Sequence, residues 1–196
     1  MRHAATEKKP LGLYIHIPFC KRKCAYCDFY SLSGAEGRMD DYADALCAHL
    51  TEQAPYFAGY RVDTVYFGGG TPSYLGAKRL EKILKTVHKR FQVDKDAEIT
   101  LEANPDSAGD RKELKKLRRA GFNRLSLGMQ SANGAELEEI GRVHTCLLYT
   151  SPCRRRPRQR AEPHQRHGLR HPHGQRQKGR LSSLQPILVR LPAGRR

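Results

Sequence analysis

LGLYIHIPFCKRKCAYCDF, residues 11–29, is an apolar run that stops at Pro18 and gives way to three cysteines within eight positions, interleaved with Lys21, Arg22 and Lys23. The run LGLYIHI carries the β-branched and aromatic residues of a strand. In parallel α/β folds ligands sit at the carboxyl ends of strands, so a thiol-rich loop in that place is a candidate site.

Three further runs repeat the strand signal: VDTVYF (62–67), AEITLEA (97–103) and RLSLGMQ (124–130). Helical patterns lie between them. Leu80, Ile83, Leu84, Val87 and Phe91 share one face at amphipathic spacing, and Leu114 with Leu117 marks a shorter helix stopped by Gly121. Asn133 followed by Glu136 predicts a capping box opening a helix that buries Leu137 and Ile140. Strands alternating with helices predict an α/β fold with a parallel sheet, wound as an open sheet or a barrel.

The alternation ends after Thr145. Residues 1–145 hold 23 Lys+Arg against 19 Asp+Glu, whereas residues 146–196 hold 13 against the single acid Glu162. The tail is dominated by Arg, Pro, His, Gln and Gly with no periodicity that could bury a face, so a disordered basic tail is expected over 146–196, after a flexible N-terminus (1–10) and a folded unit (11–145). A nucleic-acid-binding tail is one reading, but such tails are usually Lys/Arg-rich without so much His, Gln and Leu. The other is an out-of-frame reading of GC-rich coding DNA. CLLYTSP (146–152) back-translates to TGT CTC TTA TAC ACA TCT CC, which resembles a transposase mosaic end, so the tail is expected to be adapter-derived, and Cys146 and Cys153 are assigned nothing. The opening residues lack a signal-peptide run and no stretch is long and apolar enough to span a bilayer, so a cytoplasmic protein with reduced thiols is the expectation.

Cys20, Cys24 and Cys27 stand as C-x-x-x-C-x-x-C. Structural zinc takes four ligands, and no nearby Cys or His pair completes the usual tetrahedron; His16 could serve, although a strand histidine is more often a satisfied core residue. Three thiolates also suit a four-iron four-sulfur cluster that leaves one iron open, and the basic flank offsets its anionic charge. In VYFGGGTPSYL (65–75), Gly68, Gly69 and Gly70 allow close backbone approach to a ligand, or form a tight turn alone. In ITLEANPDS (99–107), Glu102 alternates with apolar residues and is expected to point into a barrel, where it needs a partner; a structural ion pair is the plain alternative.

These motifs, together with GFNRLSLGMQSANGAELEEIGRVHT (121–145), resemble in order those of the radical S-adenosylmethionine (SAM) superfamily, in the branch holding oxygen-independent coproporphyrinogen III oxidase and the heme chaperone HemW. The resemblance covers residues 11–145 and implies a six-stranded partial (β/α) barrel, of which about four strand-helix units are visible. It implies that Cys20, Cys24 and Cys27 hold the four-iron four-sulfur cluster, whose open iron is chelated by the amino and carboxylate groups of SAM. An electron from the cluster then cleaves the sulfonium to methionine and a 5′-deoxyadenosyl radical. It further implies that Gly69, Gly70 and Thr71 hold the SAM amino group, that Glu102 holds the ribose hydroxyls, and that Gln130, Arg142, Tyr14 and Tyr26 make other SAM contacts, in the oxidase shared between two SAM molecules.

The oxidase loop continues to a fourth cysteine, C-x-x-x-C-x-x-C-x-C, but here Cys27 is followed by Asp28 and Phe29, the ending of the chaperone branch. That branch implies heme as cargo, apo-hemoproteins such as respiratory enzymes as partners, and an electron donor for the cluster, without nucleic acid. Coproporphyrinogen oxidation remains the alternative, and a zinc-binding basic nucleic-acid-binding protein the rival from another class. With two barrel units and the heme-completing region missing, the fourth strand's edge is expected to be exposed and prone to aggregation.

Overall fold

The computed structural model describes residues 8–24 and 26–142, and the backbone of 188–191. Four parallel strands are joined through helices: β1 (Lys9–Ile17), β2 (Tyr60–Gly69), β3 (Val93–Ala103) and β4 (Arg124–Leu127). α1 (Met39–Gln53) joins β1 to β2, α2 (Ala77–Arg90) joins β2 to β3, α3 (Arg111–Ala120) joins β3 to β4, and α4 (Gly134–Glu139) follows β4. A fifth strand, β5 (Leu188–Leu191), pairs antiparallel with β1, so the order across the sheet is β4-β3-β2-β1-β5. β5 lies inside the stretch read as an unstructured basic tail. Its LVRL backbone finds partners on the otherwise open edge of β1, a pairing that needs no amphipathic pattern. The rest of that stretch, and residues 1–7, fall outside the described residues.

Strand alternation gives the sheet two faces of different chemistry. Leu11, Leu13, Ile15 and Ile17 of β1, Val65 and Phe67 of β2 and Ile99 and Leu101 of β3 are buried against α1 and α2, where Leu46, Leu50, Leu80, Ile83, Leu84 and Val87 close the core. Each such side chain contributes roughly 1.5–3 kcal/mol through burial. Tyr14, His16, Tyr66 and Glu102, at the intervening positions, are only partly buried and form the polar face.

The helices end where their local chemistry requires. Asp110 caps α3 by accepting from the Lys112 N–H, and Gly121, at φ 119°, terminates it in a conformation that a side chain would strain. Asn133 caps α4 by accepting from the Ala135 N–H, but Glu136 departs from the expected capping box, because its carboxylate takes a hydrogen bond from the Ser131 hydroxyl. Leu137 is buried as expected, while Ile140 is only partly so. A second expectation changes at β4. The strand stops at Leu127 and does not reach Gln130: the Gly128 N–H makes one last bond to the Ala103 carbonyl, the chain turns, and Gln130 adopts the left-handed region at φ 67°. Among the described residues β4 has no neighbour beyond it to continue the ladder.

Candidate cluster and cofactor site

The cysteine loop leaves β1 through Pro18 and is pinned where it returns. The Cys20 N–H donates to the Leu32 carbonyl (2.8 Å) and the Leu32 N–H donates to the Pro18 carbonyl (2.6 Å), while inside the loop the Cys27 N–H reaches the Cys24 carbonyl (3.2 Å). All three thiols are free; Cys20 is buried and Cys24 and Cys27 are partly exposed. Among the described residues no three Cys, His, Asp or Glu side chains gather around one ion-sized point. The three cysteines instead line a common cavity of about 280 Å³ at the carboxyl ends of the strands.

The same cavity is lined by Tyr26, Gly69, Gly70, Thr71, Glu102, Gln130 and Arg142, so ten of the eleven residues singled out from the sequence meet in one place. Tyr14 does not line it. Its ring stacks on Tyr66 with centroids 6.0 Å apart, and its hydroxyl lies 3.2 Å from His16 Nδ1. His16 Nε2 is 3.1 Å from the Tyr30 carbonyl, which can only accept, so the ring carries its proton on Nε2 and Nδ1 accepts from Tyr14. His16 is therefore a satisfied structural residue. Burial, helped by the Glu102 charge, raises the Tyr14 pKa and keeps that phenol a donor.

The glycine turn is shaped by its neighbours. A Cβ on Gly69, whose φ is 115°, would stand 2.6 Å from the His16 ring, and one on Gly70 would stand 2.9 Å from the Phe19 carbonyl and 3.0 Å from Cys20 Sγ. Peptide N–H groups along the turn are used within the fold: Gly69 donates to Glu102 Oε2, Gly70 to the Ile17 carbonyl and Thr71 to the Phe19 carbonyl. Glu102 has no ion pair here among the described residues. Its other oxygen accepts from the Tyr66 hydroxyl at 2.6 Å, and burial together with that bond pushes the Tyr66 pKa up to about 12.

Three contributors lie inside the motif stretches without being singled out there. Tyr66 and Ser126 sit on polar-face strand positions, Tyr66 bound to Glu102 and Ser126 lining the cavity. Asn104 links two site residues, donating from Nδ2 to Thr71 Oγ1 (3.2 Å) and accepting at Oδ1 from Arg142 Nη1 (2.8 Å). Its position just past the end of β3 was the available clue. Arg142 also lies over the Tyr26 ring, 5.8 Å from guanidinium carbon to centroid, so the far end of the folded unit is tied to the cysteine loop. Buried polar atoms of two lining residues, Ser31 Oγ and Arg142 Nε, have no hydrogen-bond partner among the described residues. A soft three-thiol wall beside unspent polar groups fits an iron-sulfur cluster and a charged, hydroxyl-bearing ligand.

The match to the Radical SAM superfamily runs over residues 14–146, and the chain belongs to that superfamily. Within it, the chain is 43% identical over 137 residues to the heme chaperone HemW of Escherichia coli, covering 69% of this chain and 36% of that protein. It is 39% identical over 131 residues to the oxygen-independent coproporphyrinogen III oxidase of the same organism, covering 66% and 28%. The solved structure of coproporphyrinogen III oxidase from Escherichia coli, described as a radical SAM enzyme, superposes with a TM-score of 0.67 at 34% identity over 73% of this chain and 33% of that one. The chain thus spans about a third of the length of the curated relatives it matches. Membership implies a four-iron four-sulfur cluster and SAM. No helix among the described residues is long and apolar enough to cross a membrane.

Proposed function

We propose that residues 11–145 form the cluster- and SAM-binding part of a cytoplasmic heme chaperone of the HemW kind, with heme as cargo and apo-hemoproteins as recipients. The observation that carries the choice of branch is Phe29. It lines the cavity two positions after Cys27 and stays 67% exposed, so an apolar ring occupies the place where the oxidase motif needs a fourth thiol.

Cys20, Cys24 and Cys27, which line one cavity, would hold the cluster through their thiolates. When bound, the cluster would supply an open iron for SAM and single electrons received from an external donor. With their N–H groups committed inside the fold, the residues of the glycine turn offer a ligand oxygen acceptors, the complement of the SAM ammonium. Glu102, held by Tyr66 and Gly69, would accept from ribose hydroxyls, with Arg142, Gln130 and Tyr26 lining the same cavity. Tyr14 acts from behind by fixing His16 against Gly69.

Anaerobic reconstitution followed by separate titrations with heme and with coproporphyrinogen III tests this reading. A heme complex without decarboxylation supports it, and SAM-dependent decarboxylation with no heme binding overturns it. The second reading, the oxidase, keeps a place because the oxidase relative differs by only a few per cent in identity, 39% against 43%.

A further inference from the structure

Cys20 stands at the end of a hydrogen-bond chain that begins at Arg142 and runs through Asn104 and Thr71. Arg142 can only donate, so the Asn104 carbonyl oxygen must face it, at 2.8 Å. That fixes the amide, whose NH₂ then points to Thr71 Oγ1 at 3.2 Å. Toward a Cys20 thiolate, which can only accept, the Thr71 hydroxyl donates its hydrogen across the 3.5 Å to Sγ while its oxygen accepts from Asn104. Thr71 is 6% exposed, so water does not readily compete for that hydrogen.

We propose that Thr71 and Asn104 are positioning residues that deliver a hydrogen-bond donor to the Cys20 thiolate, and that this donor raises the reduction potential of a cluster held there. A donor to a ligating sulfur stabilises the more negative, reduced form, and hydrogen bonds to sulfur are among the factors that set cluster potentials. The proposal rests on the reading of Cys20 as a cluster ligand.

The test uses the full chain, reconstituted anaerobically with iron and sulfide, and reads the midpoint potential by redox titration followed by electron paramagnetic resonance. Thr71→Val is expected to shift the potential to more negative values, and Thr71→Ser to leave it in place. Asn104→Asp still accepts from Arg142 but also accepts the Thr71 proton, drawing it off Cys20, so it too shifts the potential down. In the Thr71→Val background that same change has a smaller effect, because only its added charge remains to act. An unchanged potential in Thr71→Val, or shifts that simply add in the double variant, overturns the proposal. If the wild-type chain takes up no cluster, the cluster reading fails instead, and the relay is decided in the metal-free chain by nuclear magnetic resonance. There, Thr71→Val and Arg142→Ala must each move the Asn104 side-chain amide signals, and unmoved signals refute the relay.

Discussion

Across β1 to β3, Ile17, Phe67 and Leu101 are at most 1% exposed under α1 and α2, whereas along β4 and its exit Leu125, Leu127 and Met129 keep 43%, 42% and 41% of their surface in solvent. Strand composition is similar in the two regions; what differs is whether a neighbour covers it. The cysteine loop and the glycine turn are anchored on the packed region, which fixes their backbone through Ile17, Phe19 and Leu32. Arg142, which follows the sparsely covered region, reaches the site through a hydrogen bond to Asn104 and a cation–π contact with Tyr26. Precision at the cavity therefore originates in β1–β3, and the place of Arg142 depends on side-chain contacts with Asn104 and Tyr26.

The largest effect should come from hollowing the packed region. Phe67→Ala removes a fully buried ring that meets Phe122 edge to face, and urea unfolding should show a loss of about 3–5 kcal/mol. Gly69→Ala should cost more than about 1 kcal/mol by the same measurement, through its positive φ and the His16 contact. Leu127→Lys, on the open strand, should change stability by no more than about 0.5 kcal/mol while reducing self-association in sedimentation velocity. A Leu127 cost as large as that of Phe67 would erase the distinction between the two regions.

The smallest effect is one of pH. The Tyr66 pKa of about 12 in the fold lies above its ordinary 10.0, so folding favours the neutral phenol. Its contribution is complete below pH 10 and is lost as the pH rises through about 12. Tyr66→Phe should flatten that part of the stability profile and remove one late-ionising phenol from the ultraviolet titration.

Much of this was legible in the sequence, for identifiable reasons. Leu80, Ile83, Leu84 and Val87 declare α2 because one apolar face repeats at helical period, and all four are fully buried. α1 announces itself less clearly, since its buried face mixes Met39, Tyr42, Ala43, Leu46 and Leu50. Gln130 was expected to end a strand because RLSLGMQ reads as one apolar run, but a run cannot show where the pairing partner gives out. Asn104 stands inside ITLEANPDS just past β3, but its role in joining Thr71 to Arg142 emerges only when three distant segments are brought together.

The central claim is that three thiols on one loop hold an iron-sulfur cluster in this cavity, and iron and sulfide analysis of the reconstituted chain beside its Cys24→Ala variant tests it most directly. About four irons and four sulfides per chain are expected in the wild type, with most of both lost in the variant. Equal content in the two proteins, or a single divalent ion without sulfide, would contradict it.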